Sequence, residues 1–341
     1  MVNYIIRRII QLPITLVGVT LLIFGMLSFL SPYERLSLYV RDTPHQVDEP
    51  LLIHQYGLDQ PIYVQYWNWL TRVVHGDLGF SVQSHQPVSE LLATYIPVSA
   101  ELAIWAVLPI ILIGIQLGVT AAVNQNSVLD HATRVFSIVG WSFPTFVFGL
   151  IVLMLFYARL QWFPAGRLSE WAERVTQAAT FIQYTHMNTF DALLNGRLDV
   201  FLDALRHMFL PILTLSYLNW ALILRITRSS MLDSLRQDYV TTARAKGIPE
   251  HMVINKHVKR NALIPVATIG GLVVISLISG VVITETIFDI HGLGYFFADA
   301  ALHLDVVAVM GFTLFNAVLV VICNLITDIL YAFLDPRVRY T

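Results

Sequence analysis

The chain has 341 residues, of which 56% are hydrophobic and only 13% charged, with a formal net charge of −2, and its mean hydropathy is +0.65. That balance argues against a soluble domain and for a protein whose main solvent is lipid; the net charge by itself selects no partner. The single cysteine, Cys323, excludes an intramolecular disulfide framework and a thiolate metal cluster.

A helix needs about 20 mainly apolar residues to cross the hydrocarbon core. The first such run, Ile9–Leu30, follows Arg7 and Arg8. It is longer than a signal-peptide core and no A-x-A-like site closes it, so it reads as an uncleaved anchor. Residues 31–101 form an outside segment whose aromatic stretch "QPIYVQYWNWLTRVVHGDLGFS" predicts short amphipathic helices at the outer surface. Spans two and three follow at Leu102–Val123 and Val135–Ala158. Residues 159–207 then read as polar helical turns, with "EWAERVTQAATFIQY" carrying apolar residues at helical spacing. The fourth span, Met208–Leu224, is short and contains Ser216 and Asn219, which suits a protein lining better than lipid. Leu263–Thr284 and Val306–Thr327 complete a count of six. Pro13, Pro109, Pro144, Pro211 and Pro265 fall inside the spans, where each removes a backbone hydrogen bond and kinks a helix. The expected fold is an all-α membrane protein: residues 1–100 are one helix plus an extracytoplasmic segment, and residues 101–341 a five-helix core with a cytoplasmic loop at 225–262.

Basic residues set the orientation. With Arg7 and Arg8 inside, six spans also place Arg134, Arg225, Arg228, Arg236, Arg244, Lys246, Lys256, Lys259, Arg260, Arg337 and Arg339 inside, together more than half of the 21 lysines and arginines. The positive-inside bias then makes both termini cytoplasmic. The spans carry almost no ionisable groups: Glu285 and Asp328 sit at span ends and His207 borders the fourth. An ion-coupled carrier needs such groups in the membrane, so this pattern argues against one. There is no G-x-x-x-x-G-K-[ST] phosphate loop and no H-E-x-x-H helix, and hence no catalytic or metal site to nominate.

All three lysines lie in "TTARAKGIPEHMVINKHVKRNALIP", Thr241 to Pro265. Asp238 is placed to cap a short helix ending in Arg244 and Lys246, where positive charge suits the helix dipole. Gly247 fits a left-handed terminator, and Pro249 the first turn of a second helix. The result is a cytoplasmic knob whose apolar face, Tyr239, Val240, Ala243, Ile248, Met252 and Val253, has only the bundle floor to pack on. Spacing alone leaves a docking element and a simple topology anchor equally open. Outside, between spans five and six, "ETIFDIHGLGYFFADAALHLD" offers Gly292 and Gly294 for an irregular turn, with Phe288, Tyr295, Phe296 and Phe297 to close over a pathway. An aromatic belt at the headgroup level is the alternative.

The loop resembles the cytoplasmic signature of ABC importer permeases, "EAA", three residues, Gly, nine residues, "I-x-L-P". Thr241-Thr242-Ala243 stands for the first element and Gly247 for the glycine, while His257-Val258-Lys259-Arg260 replaces the last. It is more similar to the dipeptide/oligopeptide branch, through Asp238-Tyr239-Val240, Thr242-Ala243-Arg244-Ala245-Lys246-Gly247, His257 and Arg260-Asn261-Ala262-Leu263. "GDLGFS" (Gly76 to Ser81), "SFPTFVFGL" (Ser142 to Leu150), "ITRSSML" (Ile226 to Leu232), "ETIFDIHGLG" (Glu285 to Gly294) and "LDPRVRY" (Leu334 to Tyr340) follow in the family's order. "SPYERLS" after the first span and Asp289-Ile290-His291 depart from the family pattern, and both face outside.

The resemblance implies a non-catalytic permease of a bacterial or archaeal inner membrane, surrounded by lipid and with no nucleic-acid partner. It implies a second homologous permease, two ABC ATPase subunits that bind the ATP and Mg²⁺, and an extracytoplasmic substrate-binding protein that delivers a peptide. This chain itself would hold no cofactor and no metal. Asp238, Tyr239, Thr242, Ala243, Arg244, Ala245, Lys246, Gly247, Pro249, His257, Arg260 and Asn261 would couple it to the ATPases. Ser142, Pro144, Phe146, Glu285, Phe288, Gly292, Gly294, Tyr295 and Phe296 would lie on the translocation pathway and its outer gate. Importers of nickel complexes, glutathione and some sugars share this branch, so the substrate is left open.

Overall fold

The computed structural model describes residues 2–36, 39 and 49–334. The "LDPRVRY" match beyond Leu334, with Arg337 and Arg339, lies outside the described residues, as does the last residue of "SPYERLS". Five helices are long and apolar enough to cross a membrane: Ile10–Leu27, Val88–Val123, Leu198–Leu235, Glu250–Ile278 and Val306–Thr327. A sixth crossing exists only as a bent pair, Val128–Ser142 and Thr145–Arg159, whose axes turn through 104°.

Three expected spans are corrected in detail. Val135–Ala158 is not one helix. Phe143 is extended at φ −85°, ψ 127°, as the residue before a proline tends to be, and Pro144 then opens the second half at φ −59°, ψ 138°. Pro144 therefore breaks the helix rather than kinking it. The fourth span, expected at Met208–Leu224, is the middle of a 38-residue helix, Leu198–Leu235, whose polar first turns fall in the segment the hydropathy assigns to an outside loop. The fifth stops at Ile278; Gly280 turns at φ +93° and Thr284 belongs to a separate short helix, Val282–Ile287. In the outer segment, the helix expected through Tyr184 ends at Thr176.

The chain divides into two compact units: Met1–Val98 with His291–Ile326, and Ser99–Ile290 with Thr327–Thr341. In the first, Phe24, Leu27 and Trp69 share a buried cluster with Val88, Leu293, Phe296, Val307 and Phe312. Asp305, 4% exposed, sits just before the Val306–Leu334 helix and accepts from the Ala308 amide at 3.0 Å. Its other oxygen accepts from the Ser81 hydroxyl at 2.6 Å and the Gln83 amide at 3.2 Å. The "GDLGFS" segment is thereby pinned through Ser81 to the cap of the last long helix.

In the second unit the Leu198–Leu235 helix crosses the Val88–Val123 helix at very short range. A Cβ added at Gly118 would lie 2.5 Å from Thr227 Cβ and 2.8 Å from the Leu224 carbonyl; one at Gly114 would lie 2.7 Å from Ile223. Gly114 and Gly118 thus make a small-x-x-x-small contact, which brings backbones together where burial of apolar surface supplies no drive. Gly118→Leu is expected to destabilise the fold by about 1–3 kcal/mol through overpacking. Gly25→Leu, where a side chain meets nothing within 4 Å, is expected to be silent. Thermal unfolding in detergent checks both.

Candidate coupling loop and translocation cavity

The helix from Asp238 to Ala245 starts after Gln237, which occupies the cap position without a side-chain bond. Asp238 is therefore a first-turn residue whose charge faces the positive helix end, not the cap expected of it. Lys246 ends the helix, Gly247 follows at φ +73°, and Pro249 caps the next run rather than entering it. From Glu250 the chain is helical without interruption to Ile278, with a wide π-turn over Val253–Val258. Arg244 closes the turn: its Nε and Nη2 donate to the Glu250 carboxylate at 3.1 and 2.6 Å. Both partners are about half exposed, so solvent screens this clamp and it fixes the turn's geometry more than it adds stability.

The apolar face of the loop splits in two. Val240, Val253 and Val258 are fully buried and Ala243 nearly so, against Val119, Ala122 and Met231. Tyr239 and Met252 remain 38% and 41% exposed. Thr242, Arg244, Ala245, Lys246, Pro249, Arg260 and Asn261 are exposed as well, and His257 is half-buried. The loop is thus anchored on one side and offers a mixed apolar and basic surface on the other.

Beside it lies a pair that the sequence reading missed. Asp130, fully buried, accepts from Arg228 Nε at 2.6 Å and Nη2 at 2.8 Å, and from the Asn126 amide at 3.0 Å. Arg134 approaches the same carboxylate at 3.8 Å. The available signal was Ser127 three residues before Asp130, a helix-start spacing; the Ser127 hydroxyl does accept from the Asp130 amide.

At the 104° elbow the second unit has a cavity of about 500 Å³, lined by Trp141, Phe143, Thr145, Asn219, Ser276 and Thr284 among aliphatic neighbours such as Leu215, Leu222 and Val281. No lining side chain is ionisable. Of the two polar residues singled out in the short fourth span, Asn219 lines the cavity and Ser216 is buried away from it. Of the pathway residues expected at this elbow, Ser142, Pro144 and Phe146 are exposed, but only their neighbours Trp141, Phe143 and Thr145 face the cavity.

Glu285 and Phe288 are buried within this chain. The Glu285 carboxylate accepts from the Ser99 hydroxyl at 2.7 Å, and the Phe288 carbonyl accepts from the Gly166 amide at 2.9 Å. The irregular turn expected here spans residues 288–292 and includes Gly292, with its left-handed residue at Asp289, φ +56°. Gly292 is extended at φ −106° and Gly294 lies inside the Leu293–Leu302 helix. In the first unit Phe296 is buried and stacks on Tyr95 at 5.0 Å, and Phe297 packs on Phe312 at 4.6 Å, while Tyr295 is half-buried against His291. The four aromatics expected to close a pathway are therefore mostly spent on packing within their own units.

Long apolar helices, an anchored amphipathic loop and a neutral cavity at a broken helix define an α-helical membrane transport component. Residues 114–340 match the family described as "Binding-protein-dependent transport system inner membrane component", and residues 1–103 match its N-terminal counterpart. The chain belongs to that family. It is 40% identical over 342 residues to the oligopeptide transport system permease protein AppB of Bacillus subtilis, covering all of both chains. It is 39% identical over 328 residues to the probable D,D-dipeptide transport system permease protein DdpB of Escherichia coli, covering 96% of this chain and 94% of that one. It is 38% identical over 343 residues to the di/tripeptide transport system permease protein DppB of Pseudomonas aeruginosa, covering 100% and 99%.

Proposed function

We propose that the chain is one of two permease subunits of an ATP-driven peptide importer in a bacterial inner membrane, with both termini and the 238–260 loop on the cytoplasmic side. A second, homologous permease completes the pathway, two ATPase subunits bind ATP and Mg²⁺ and supply the hydrolysis, and an extracytoplasmic binding protein delivers the peptide. The observation that carries this reading is the loop: a helix, a left-handed Gly247 and a second helix that continues directly into a span. A displacement of its exposed face by an ATPase would pass into the Glu250–Ile278 helix without crossing a flexible joint.

The substrate class rests on the relatives, whose names specify oligopeptides, D,D-dipeptides and di- or tripeptides. A neutral cavity suits it. Asn219, Ser276 and Thr284 offer donors and acceptors to a peptide group, with no fixed charge to hold a terminus. Weak holding is what a pathway needs, since the substrate must leave again.

The test is uptake of labelled dialanine into liposomes carrying the reconstituted four-subunit complex and its binding protein. ATP-dependent uptake that unlabelled di- and oligopeptides compete away is the expected result. Uptake of a nickel complex, glutathione or a sugar in place of every peptide tried would overturn the substrate class. Uptake driven by an ion gradient without ATP would overturn the coupling.

A further inference from the structure

The lysines are not equivalent. Lys246 stands at the tip of the loop, whereas Lys259 follows the π-turn within the Glu250–Ile278 helix and is half-buried. It lies at a cavity of about 580 Å³ whose other walls are Leu112, Ile113, Ile115, Gln116, Leu117 and Leu263. Leu112 and Ile113 are 65% and 40% exposed, so the groove is open at the surface of a span. Among the described residues no carboxylate pairs with Lys259. Lys256, exposed, lies one turn earlier in the same continuous helix.

We propose that this groove binds an anionic phospholipid from the leaflet on the lysine-loop side, with an acyl chain against the aliphatic walls and the phosphate on the Lys259 and Lys256 ammonium groups. Three observations point to this ligand. The groove opens at the surface of a span and its wall is aliphatic apart from Gln116 and Lys259, which suits a lipid chain better than ordered water. A lysine entering a span extends its stem along apolar surface and its head toward the headgroups, where an anion can neutralise it. Finally, Lys259 shares the groove with the mainly aliphatic Leu112–Leu117 stretch, so a site for a headgroup and a wall for an acyl chain adjoin. Basic pockets between membrane helices on such a side are a general means of holding acidic headgroups.

The test is native mass spectrometry of the full-length chain in detergent, titrated with phosphatidylglycerol and phosphatidylcholine of identical acyl chains. Phosphatidylglycerol is expected to be retained preferentially, by about fivefold for each lysine engaged. Lys259→Ala with Lys256→Ala should remove that preference and Lys259→Arg should keep it. Leu263→Trp, which fills the groove and leaves both charges, should reduce retention of both lipids. Equal retention of the two lipids by the unaltered chain, or a preference that survives the double substitution, would overturn the proposal. So would loss of the preference in millimolar inorganic phosphate with the Leu263→Trp variant binding normally, which would mean a bare anion site. A photoreactive residue at Leu112 in native membranes is expected to capture lipid; capture of a protein subunit instead would assign the groove to a subunit contact.

Discussion

Gly247→Val is expected to uncouple the transporter: substrate-stimulated ATP hydrolysis by the assembled complex should fall sharply while the chain reaches the membrane at normal abundance. A Cβ at Gly247 meets no atom within 4 Å, so space is not the obstacle; φ +73° is. A β-branched residue in that conformation costs on the order of 1–2 kcal/mol. The chain would relieve the strain by re-angling the Asp238–Ala245 helix against the Glu250–Ile278 helix, moving Tyr239, Arg244 and Lys246 from their present arrangement. Gly247→Asn, which tolerates the left-handed region better, should retain most of the coupling. Wild-type stimulation in the valine variant would remove this loop from the coupling mechanism.

Asp130→Ala is expected to destabilise the chain by about 2–3 kcal/mol, because it leaves the partly buried Arg228 guanidinium without its hydrogen-bonded counter-charge. Arg228 keeps 20% of its side chain exposed while Asp130 has none, so solvent makes good only part of the loss. The paired change is milder. Asp130→Leu with Arg228→Met removes both charges and is expected to fall within about 1–2 kcal/mol of wild type. Unfolding of the purified variants in detergent measures both values. A single substitution as mild as the double one would mean that Arg134, 3.8 Å from the carboxylate, or water already satisfies the site.

Some of this was legible in the sequence and some was not, for identifiable reasons. Long apolar runs placed the spans because lipid demands continuous hydrophobicity. The same signal misjudged the ends of Leu198–Leu235, since a helix held by protein contacts needs no apolar stretch to continue. Asp203 shows this: within the outer turns of that helix it accepts from the Ser169 amide and hydroxyl at 2.8 and 2.7 Å. Gly247 and Pro249 announced the loop together, since a glycine after a helical run and a proline two residues on mark a helix end and a new start. Gly292 does lie in the irregular turn expected of it, but Gly294 is helical and the left-handed residue is Asp289, because glycine also occupies extended and helical backbone. Asp130–Arg228 and Glu101–Arg167 are long-range pairs; single-sequence spacing carries no information about them.

The elbow at Phe143 has a consequence for what can surround the chain. Each arm, Val128–Ser142 and Thr145–Arg159, has 15 residues, which is about 22 Å of helix and shorter than the roughly 30 Å hydrocarbon thickness. Joined at 104°, the arms leave a vertex standing about 17 Å from the line between their far ends, by the geometry of two such rods. That vertex holds the open end of one helix and the open start of another, with Trp141, Phe143 and Phe146 exposed around it. Amides and carbonyls at helix ends have no intrahelical partners, and hydrocarbon supplies none. A bilayer of lipid alone is therefore the wrong environment for this corner: in its working state it is bathed by water or covered by other polypeptide.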